Sequence, residues 1–316
     1  MPTTTAGQQP GNAAHGREAA SHQGSAAKRT ETIRVVSWNV AYRGLVDAAI
    51  QAAFLKRLAP DLVLLQDINQ SSLHVLQSEG GFEWLKRSSP PPPPISRGRS
   101  SLCAIGGSLN VQFLSLRGPF KEGLPERVLV ATTRIAGTKV AAASYYAPPG
   151  VSWHASKPAQ AVEFAKWLKR VELPVVFGAD ANTPAVDHPD FSMTRTHWNS
   201  GMHQLHGKPG DDLLFGPGKI HALTDALRTW LGHGPDRMAQ IRAETLHGCG
   251  PLEVSYKTGA RKGFSGNPRR YDSVWASGHF AVEDVQYLYR ESLEARSDHA
   301  AVVVDLCFRS GRQAGF

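Results

Sequence analysis

The chain has 316 residues, 41% hydrophobic and 20% charged, with a mean hydropathy of −0.29. That balance excludes a collagen-like or wholly disordered chain, and no run approaches the roughly 18 apolar residues of a bilayer-spanning helix. Lys and Arg (35) exceed Asp and Glu (27), and the net charge of +8 points to an anionic partner.

Residues 1–30 are Thr, Gln, Gly, Ala and Ser with few large apolar side chains, so they read as a disordered tail; a domain over 31–310 and a short tail at 311–316 follow. The N-terminus has no apolar leader core, and the expected address is cytoplasmic. The β-branched run IRVVSWNV (33–40) reads as a buried strand, and residues 44–58 carry helical spacing closed by Pro60. DLVLLQD (61–67) reads as a strand buried on both faces, followed by a short helix over 69–77. Five prolines at 90–94 form a stiff spacer. Strands are expected at 101–107, 111–116, 127–135 and 139–147, then a helix over 156–169 and a strand at 174–180. Residues 187–218 read as loop, 222–230 as a short helix, and 252–256, 271–277, 282–289 and 300–307 as strands. Many strands with three or four helices predict a layered α/β or α+β fold with mixed sheets, without regular βαβ alternation. Cys103, Cys249 and Cys307 are too scattered for a disulfide framework or a thiolate zinc site, and two of them sit in apolar runs as small core residues.

The positive charge is concentrated. Residues 84–99 carry Lys86, Arg87, Arg97 and Arg99, and residues 257–270 carry Lys257, Arg261, Lys262, Arg269 and Arg270, with no acid in either segment. Both are rich in Gly, Pro and Ser, so they read as basic loops suited to backbone phosphates. No segment marks a protein partner, and a monomer is expected. Neither a dinucleotide-binding GxGxxG nor a P-loop is present.

Acids, amides and histidines end the apolar strands: Trp38-Asn39, Gln66-Asp67, Asp180 with Asn182, and Ser297-Asp298-His299. Singly each is a turn or cap residue; together they mark a site on a rigid scaffold. SWNV (37–40), PDLVLLQD (60–67), YYAPPG (145–150), FGADANT (177–183), TDALR (224–228), RRYDSVWAS (269–277) and SDHAAVVVDL (297–306) resemble, in order, the motif series of the endonuclease/exonuclease/phosphatase family. That family holds exonuclease III-like and DNase I-like nucleases, inositol-phosphate phosphatases, deadenylases and sphingomyelinases. The resemblance implies a four-layer α/β sandwich of two packed sheets flanked by helices, and Mg²⁺-dependent phosphoester cleavage.

Carried over residue by residue, it makes Asn39 and Asp67 the principal metal pair with Asp298 near them. It assigns Asp180 and Asn182 to the attacking water, His299 to the scissile phosphate, Asp272 to holding that imidazole, and Tyr146 to a phosphate oxygen. Such a sparse oxygen set suits Mg²⁺, which keeps several waters. Asp67 stands where the family has Glu, one methylene shorter, which would move the cation preference toward Mn²⁺. Arg97, Arg99, Arg261, Lys262 and Arg269 are the expected substrate-binding residues, with DNA or RNA as substrate. A small or lipid phosphoester, and a non-catalytic nucleic-acid-binding module, are the alternatives. Asp225 reads as a first-turn helix acid, Asp187 and His188 as turn residues, and His197, His203, His206 and His221 as solvated.

Overall fold

The computed structural model describes residues 32–89, 101–117, 120, 124–149, 155–197, 204–205, 208–244, 251–259 and 266–309. In chain order the elements are β1 (Thr32–Asn39), α1 (Leu45–Leu58), β2 (Leu62–Ile68), α2 (Leu73–Glu79), β3 (Trp84–Arg87), β4 (Leu102–Gly107), β5 (Val111–Leu116), β6 (Val128–Ile135), β7 (Thr138–Tyr146), α3 (Ser156–Arg170) and β8 (Val175–Asp180). Then come β9 (Gln204–Leu205), β10 (Lys208–Pro209), α4 (Gly210–Phe215), β11 (Thr224–Asp225), α5 (Ala226–Gly232), α6 (Pro235–Glu244), β12 (Tyr256–Thr258), β13 (Asn267–Arg269), β14 (Asp272–Ala276), β15 (Phe280–Leu288), α7 (Tyr289–Glu294) and β16 (Ala301–Phe308).

Two six-stranded mixed sheets result, in the orders β15-β16-β1-β2-β4-β3 and β11-β14-β8-β7-β6-β5. Period-two alternation gives each strand one face toward the other sheet and one toward the helices. Ile33 and Val35 of β1, Leu62 and Leu64 of β2, Val140 and Ala142 of β7, and Val176 of β8 pack between the sheets. The intervening residues Val36, Trp38, Val63 and Leu65 meet Phe54 and Leu55 of α1 and Leu76 of α2. Ala143, Tyr145, Phe177 and Ala179 of the second sheet meet Phe164 and Leu168 of α3 and Leu214 of α4. The layers therefore run helix, sheet, sheet, helix, the four-layer sandwich that the motif series implied. The sheets come closest at Gly178, where an added Cβ would lie 2.3 Å from Ser37 Oγ, so only glycine fits.

Isolated βαβ units occur within sheets that are otherwise antiparallel: β1 pairs parallel to β2 across α1, and β7 parallel to β8 across α3, one unit per sheet. Several expectations change. Residues 84–87 are the edge strand β3 rather than part of a basic loop, and residues 257–258 and 267–269 belong to the β12–β13 hairpin. The stretch expected as loop over 187–218 contains α4, packed on α3, and a 3₁₀ turn at Phe191–Met193. The expected helix at 222–230 starts as the edge strand β11, with Asp225 then capping α5 through Leu227 N at 3.0 Å. α6 and α7 add helices that polar, short segments did not announce. Cys103 is fully buried as expected and Cys307 half-buried; Cys249 lies outside the described residues. Among the described residues no helix is long and apolar enough to cross a membrane.

Candidate active site

The parity that builds the core also delivers the polar strand ends. Counting inward positions along β1 (33, 35, 37) gives Asn39, along β7 (140, 142) gives Tyr146, along β8 (176) gives Asp180, and along β14 (274, 276) gives Asp272. The parallel pairs bring their C-terminal ends to one rim of the inter-sheet layer. β14 runs antiparallel to β8 and pairs Asp272 with Asp180, while β16 runs antiparallel to β1, so the Ser297-Asp298-His299 segment entering it reaches the same rim. Parity also separates the two adjacent tyrosines: Tyr145 stacks on Phe164 in the outer core, and Tyr146 faces the site.

Asn39 Nδ2 donates to Asp180 Oδ2 at 2.7 Å, and Asn39 Oδ1 accepts from Ala41 N at 2.8 Å. Asp180 Oδ1 accepts from Asn182 N at 3.1 Å, and Asn182 Nδ2 donates to the Ala147 carbonyl at 3.0 Å. His299 Nδ1 lies 2.9 Å from Asp272 Oδ2 and 4.0 Å from Asp180 Oδ2. Asp272 Oδ1 is buried and has no hydrogen-bond partner among the described residues. Trp38 Nε1 holds the His299 carbonyl at 3.0 Å, and Ser297 Oγ donates to the Asn39 carbonyl at 2.6 Å, fastening the histidine segment to β1.

Burial drives the Asp180 carboxyl up to about 7, against the pull of the His299 charge and the Asn39 amide and with Asp272 adding repulsion. Burial opposes charge on His299, but Asp272, Asp180 and Asp298 outweigh it and lift the imidazole to about 10. Asp298 itself is exposed, and its charge is felt by His299, Tyr256 and Tyr289. Asp67 sits in the irregularity of β2 opposite β4 with φ +53°, a left-handed conformation that turns its side chain out of the strand's alternation. Its charge reaches Tyr146, whose phenol is pushed up by burial, then Asp67 and Asp180; Arg127 covers the ring at 4.3 Å.

Asn39, Tyr146, Asp180, Asn182, Asp272, Asp298 and His299 thus converge, with Asp67 at the neighbouring strand end. Arg97, Arg99, Arg261 and Lys262 lie outside the described residues. Arg269 is half-buried at the end of β13 and bonds Tyr271. Arg270 leaves the basic set altogether: it is buried, bonded to Asp187 at 2.7 and 3.0 Å and to Asp225 at 2.8 Å. Asp187 is correspondingly no turn residue, since it also takes Arg228 at 2.6 Å and Leu252 N at 3.0 Å. His188 keeps its local turn, with Asp190 N on its Nδ1 at 2.9 Å. His221, expected in solvent, is buried against Trp275 and Phe177, while His197 lies 3.3 Å from the buried Asp211. His203 and His206 fall outside the described residues.

Three contributors escaped sequence reading. Tyr256 stacks on His299 at 4.5 Å and 26°, and Tyr271 stacks on Tyr256 at 5.8 Å. Ser255 Oγ accepts from Tyr271 N and Asp272 N at 2.8 and 3.0 Å, while its carbonyl takes Ala300 N at 2.8 Å. Tyr256 lies in a short strand with no alternation to mark it, so no one-dimensional signal pointed to it.

Which of these side chains suit a metal follows from their chemistry. Ligand atoms of Asp180, Asp272 and His299 lie within 4.8 Å of one another. His299 Nδ1, however, is already engaged by Asp272, which leaves that trio as a proton-holding pair beside a carboxylate. Asn39 Oδ1 with one donor on it, the Asp67 carboxylate and the exposed Asp298 carboxylate offer only oxygen, the donor type a hard divalent cation takes. The Cys103 thiol is buried in the core and pushed up to about 12 by that burial, so it offers no thiolate.

No protein-family model and no curated protein matches the chain. Solved structures do. D. rerio TDP2 complexed with a single-strand DNA product aligns with a TM-score of 0.60 at 15% identity, covering 87% of this chain and 98% of that one. The human Nocturnin catalytic domain with a bound sulfate anion gives 0.55 at 14%, covering 88% and 93%. An endonuclease/exonuclease/phosphatase protein from Bacteroides vulgatus gives 0.57 at 12%, covering 88% and 99%. The chain has the endonuclease/exonuclease/phosphatase fold.

Proposed function

We propose that the chain is a metal-dependent phosphodiesterase, a nuclease that hydrolyses backbone phosphodiesters of DNA or RNA. One observation carries this reading: a carboxylate bonded to an amide at 2.7 Å and a carboxylate–imidazole pair at 2.9 Å meet within 4.0 Å at the rim between the sheets. The single-strand DNA product in a TDP2 structure of the same fold supports a polynucleotide substrate.

Asp180, held near neutrality and fixed by Asn39 and Asn182, is the base that orients water and takes its proton. Asn182 is held at φ +46° with its amide on the Ala147 carbonyl, which sets that geometry before substrate arrives. With Nδ1 occupied by Asp272, His299 presents Nε2–H as its remaining donor, matched to a non-bridging phosphate oxygen where charge accumulates. Tyr146 keeps its proton and so donates rather than repels at a phosphate oxygen. Asn39, Asp67 and Asp298 would hold Mg²⁺ or Mn²⁺. The chemistry supplied by that bound cation is Lewis-acid polarisation of the phosphoryl group. Arg97, Arg99, Arg261, Lys262 and Arg269 bind the flanking backbone.

The test compares plasmid DNA, single-stranded RNA and a phosphomonoester as substrates with Mg²⁺, with EDTA and with Mg²⁺ restored. Cleavage of a nucleic acid that EDTA abolishes and Mg²⁺ returns is expected. Turnover of the monoester alone would replace the nuclease reading with a phosphatase.

A further inference from the structure

Beside Asp298 lies a cavity of about 320 Å³ lined by Arg43, Asp47, Leu293, Arg296, Ser297 and Asp298. Both arginines are tied to the reaction centre. The loop carrying Arg43 hangs from the Asn39 side chain through Ala41 N at 2.8 Å and from the Asp67 carbonyl through Tyr42 N at 2.7 Å. Arg43 Nε then donates to the Arg296 carbonyl at 2.7 Å, which leaves both of its terminal amino groups for other acceptors. Among the described residues Arg43 forms no ion pair, and the Arg296 guanidinium pairs with Asp47 alone, at 4.0 Å with most of its side chain in solvent.

The backbone that presents this pair is strained. Arg296 has φ +69° at the end of α7, where Arg296 N bonds Leu293 O at 3.1 Å and Ser297 N bonds Ser292 O at 2.9 Å. That is the helix-terminating position at which glycine is preferred because it has no Cβ to crowd. Ala41 and Tyr42, just before Arg43, are left-handed too, at φ 57° and 51°. Arginine at a glycine position gives up local stability, and what it adds is a guanidinium at the cavity mouth.

We propose that Arg43 and Arg296 form a second phosphate subsite, which holds the backbone phosphate next to the one being cleaved. The inference deepens the phosphodiesterase reading and rests on it. The terminal amino groups of the two guanidiniums match phosphate oxygens, and the cavity they line also borders Asp298, which places the subsite beside the reaction centre. A substrate with two consecutive phosphates is then handled better than one with a single phosphodiester.

The experiment uses the full chain with Mg²⁺ and measures kcat/KM for a trinucleotide with two phosphodiesters, the same trinucleotide with an added terminal phosphate, and bis(4-nitrophenyl) phosphate. In the Arg43→Ala, Arg296→Gly double variant the ratio of trinucleotide to bis(4-nitrophenyl) phosphate turnover is expected to fall at least tenfold. An unchanged ratio overturns the subsite, and a loss confined to the terminally phosphorylated trinucleotide reassigns it to an end phosphate and overturns the internal one. A second arm measures binding of a labelled single-stranded oligonucleotide against salt in the His299→Gln background. There the log–log slope is expected to shrink by about 1–2 with the two arginines removed. Wild type that binds but turns nothing over defeats the phosphodiesterase reading, and the salt slope alone then decides the subsite. Arg296→Gly alone is expected to melt at or above the wild-type temperature while lowering the ratio; a lower melting temperature with an unchanged ratio makes Arg296 purely structural and overturns its role.

Discussion

Two buried clusters of acids and cations flank the second sheet, and they are built to opposite ends. Around Asp187 and Asp225, the guanidiniums of Arg270 and Arg228 meet both carboxylates at 2.6–3.0 Å in four close contacts, with Leu252 N and Leu227 N closing further lone pairs. Burial opposes charge on Asp187, yet the two arginines hold its carboxyl below the ordinary range. Around Asp180 and Asp272, among the described residues, one imidazole serves two buried carboxylates, Asp272 Oδ1 is without a partner, and Asp180 is driven upward. A charge-balanced cluster braces a fold; an acid-rich one with an uncompensated acceptor waits for a cation or a proton.

Breaking each cluster separates those roles. Asp180→Ala is expected to lower kcat by about 10³–10⁴-fold, ~4–5 kcal/mol of barrier, with a melting temperature no lower than wild type because an unfavourable buried charge is gone. A cooperative fold lost at room temperature would make Asp180 a core residue instead. Arg270→Ala should do the reverse and cost roughly 3–5 kcal/mol of stability by stranding Asp187 and Asp225, read by urea denaturation. Little change there would dissolve the contrast.

The two buried histidines sharpen it further. His221 Nε2 donates to Leu214 O at 2.8 Å and Nδ1 accepts from Leu223 N at 3.2 Å, so the neutral ring is fully satisfied and burial pushes it down to about 4. A base whose folded pKa lies below its unfolded value of roughly 6.5 takes up protons first in the unfolded chain. Stability is therefore full above pH 6.5 and falls by roughly 3 kcal/mol on the way down to pH 4. His221→Gln should flatten that slope, and parallel curves for the two proteins would show that another group titrates. Smallest is the effect at Tyr256: Tyr256→Leu should cut kcat about tenfold by freeing the His299 ring, with Tyr256→Phe restoring it because only the aromatic face is used. Equal losses in Leu and Phe would shift the role to the hydroxyl.

Much of the site was legible because strand periodicity is a one-dimensional signal. Apolar runs ending in Asn39, Asp67 and Asp180, with the Ser297-Asp298-His299 segment before β16, announced both the strands and their polar ends. What stayed hidden depended on neighbours remote in sequence. Arg270 and Asp187 read as a basic loop and a turn because their pairing spans 83 residues. His221 looked solvated because the aromatic wall that buries it comes from β8 and β14. α4 and the Arg43–Arg296 cavity likewise follow from packing.

By itself the sequence determined where the apolar strands end and that Asn39, Asp67, Asp180 and the Ser297-Asp298-His299 segment stand at those ends, since a strand's apolar run is a one-dimensional signal. Which face each strand turns inward, and that Tyr146 rather than Tyr145 lies on it, came from the packing of the two sheets. Only the tertiary structure decided which charges find partners. Pairing is set by strand order and register across the whole chain, and it separates the arginine that braces the sheet from the arginines left facing solvent beside Asp298.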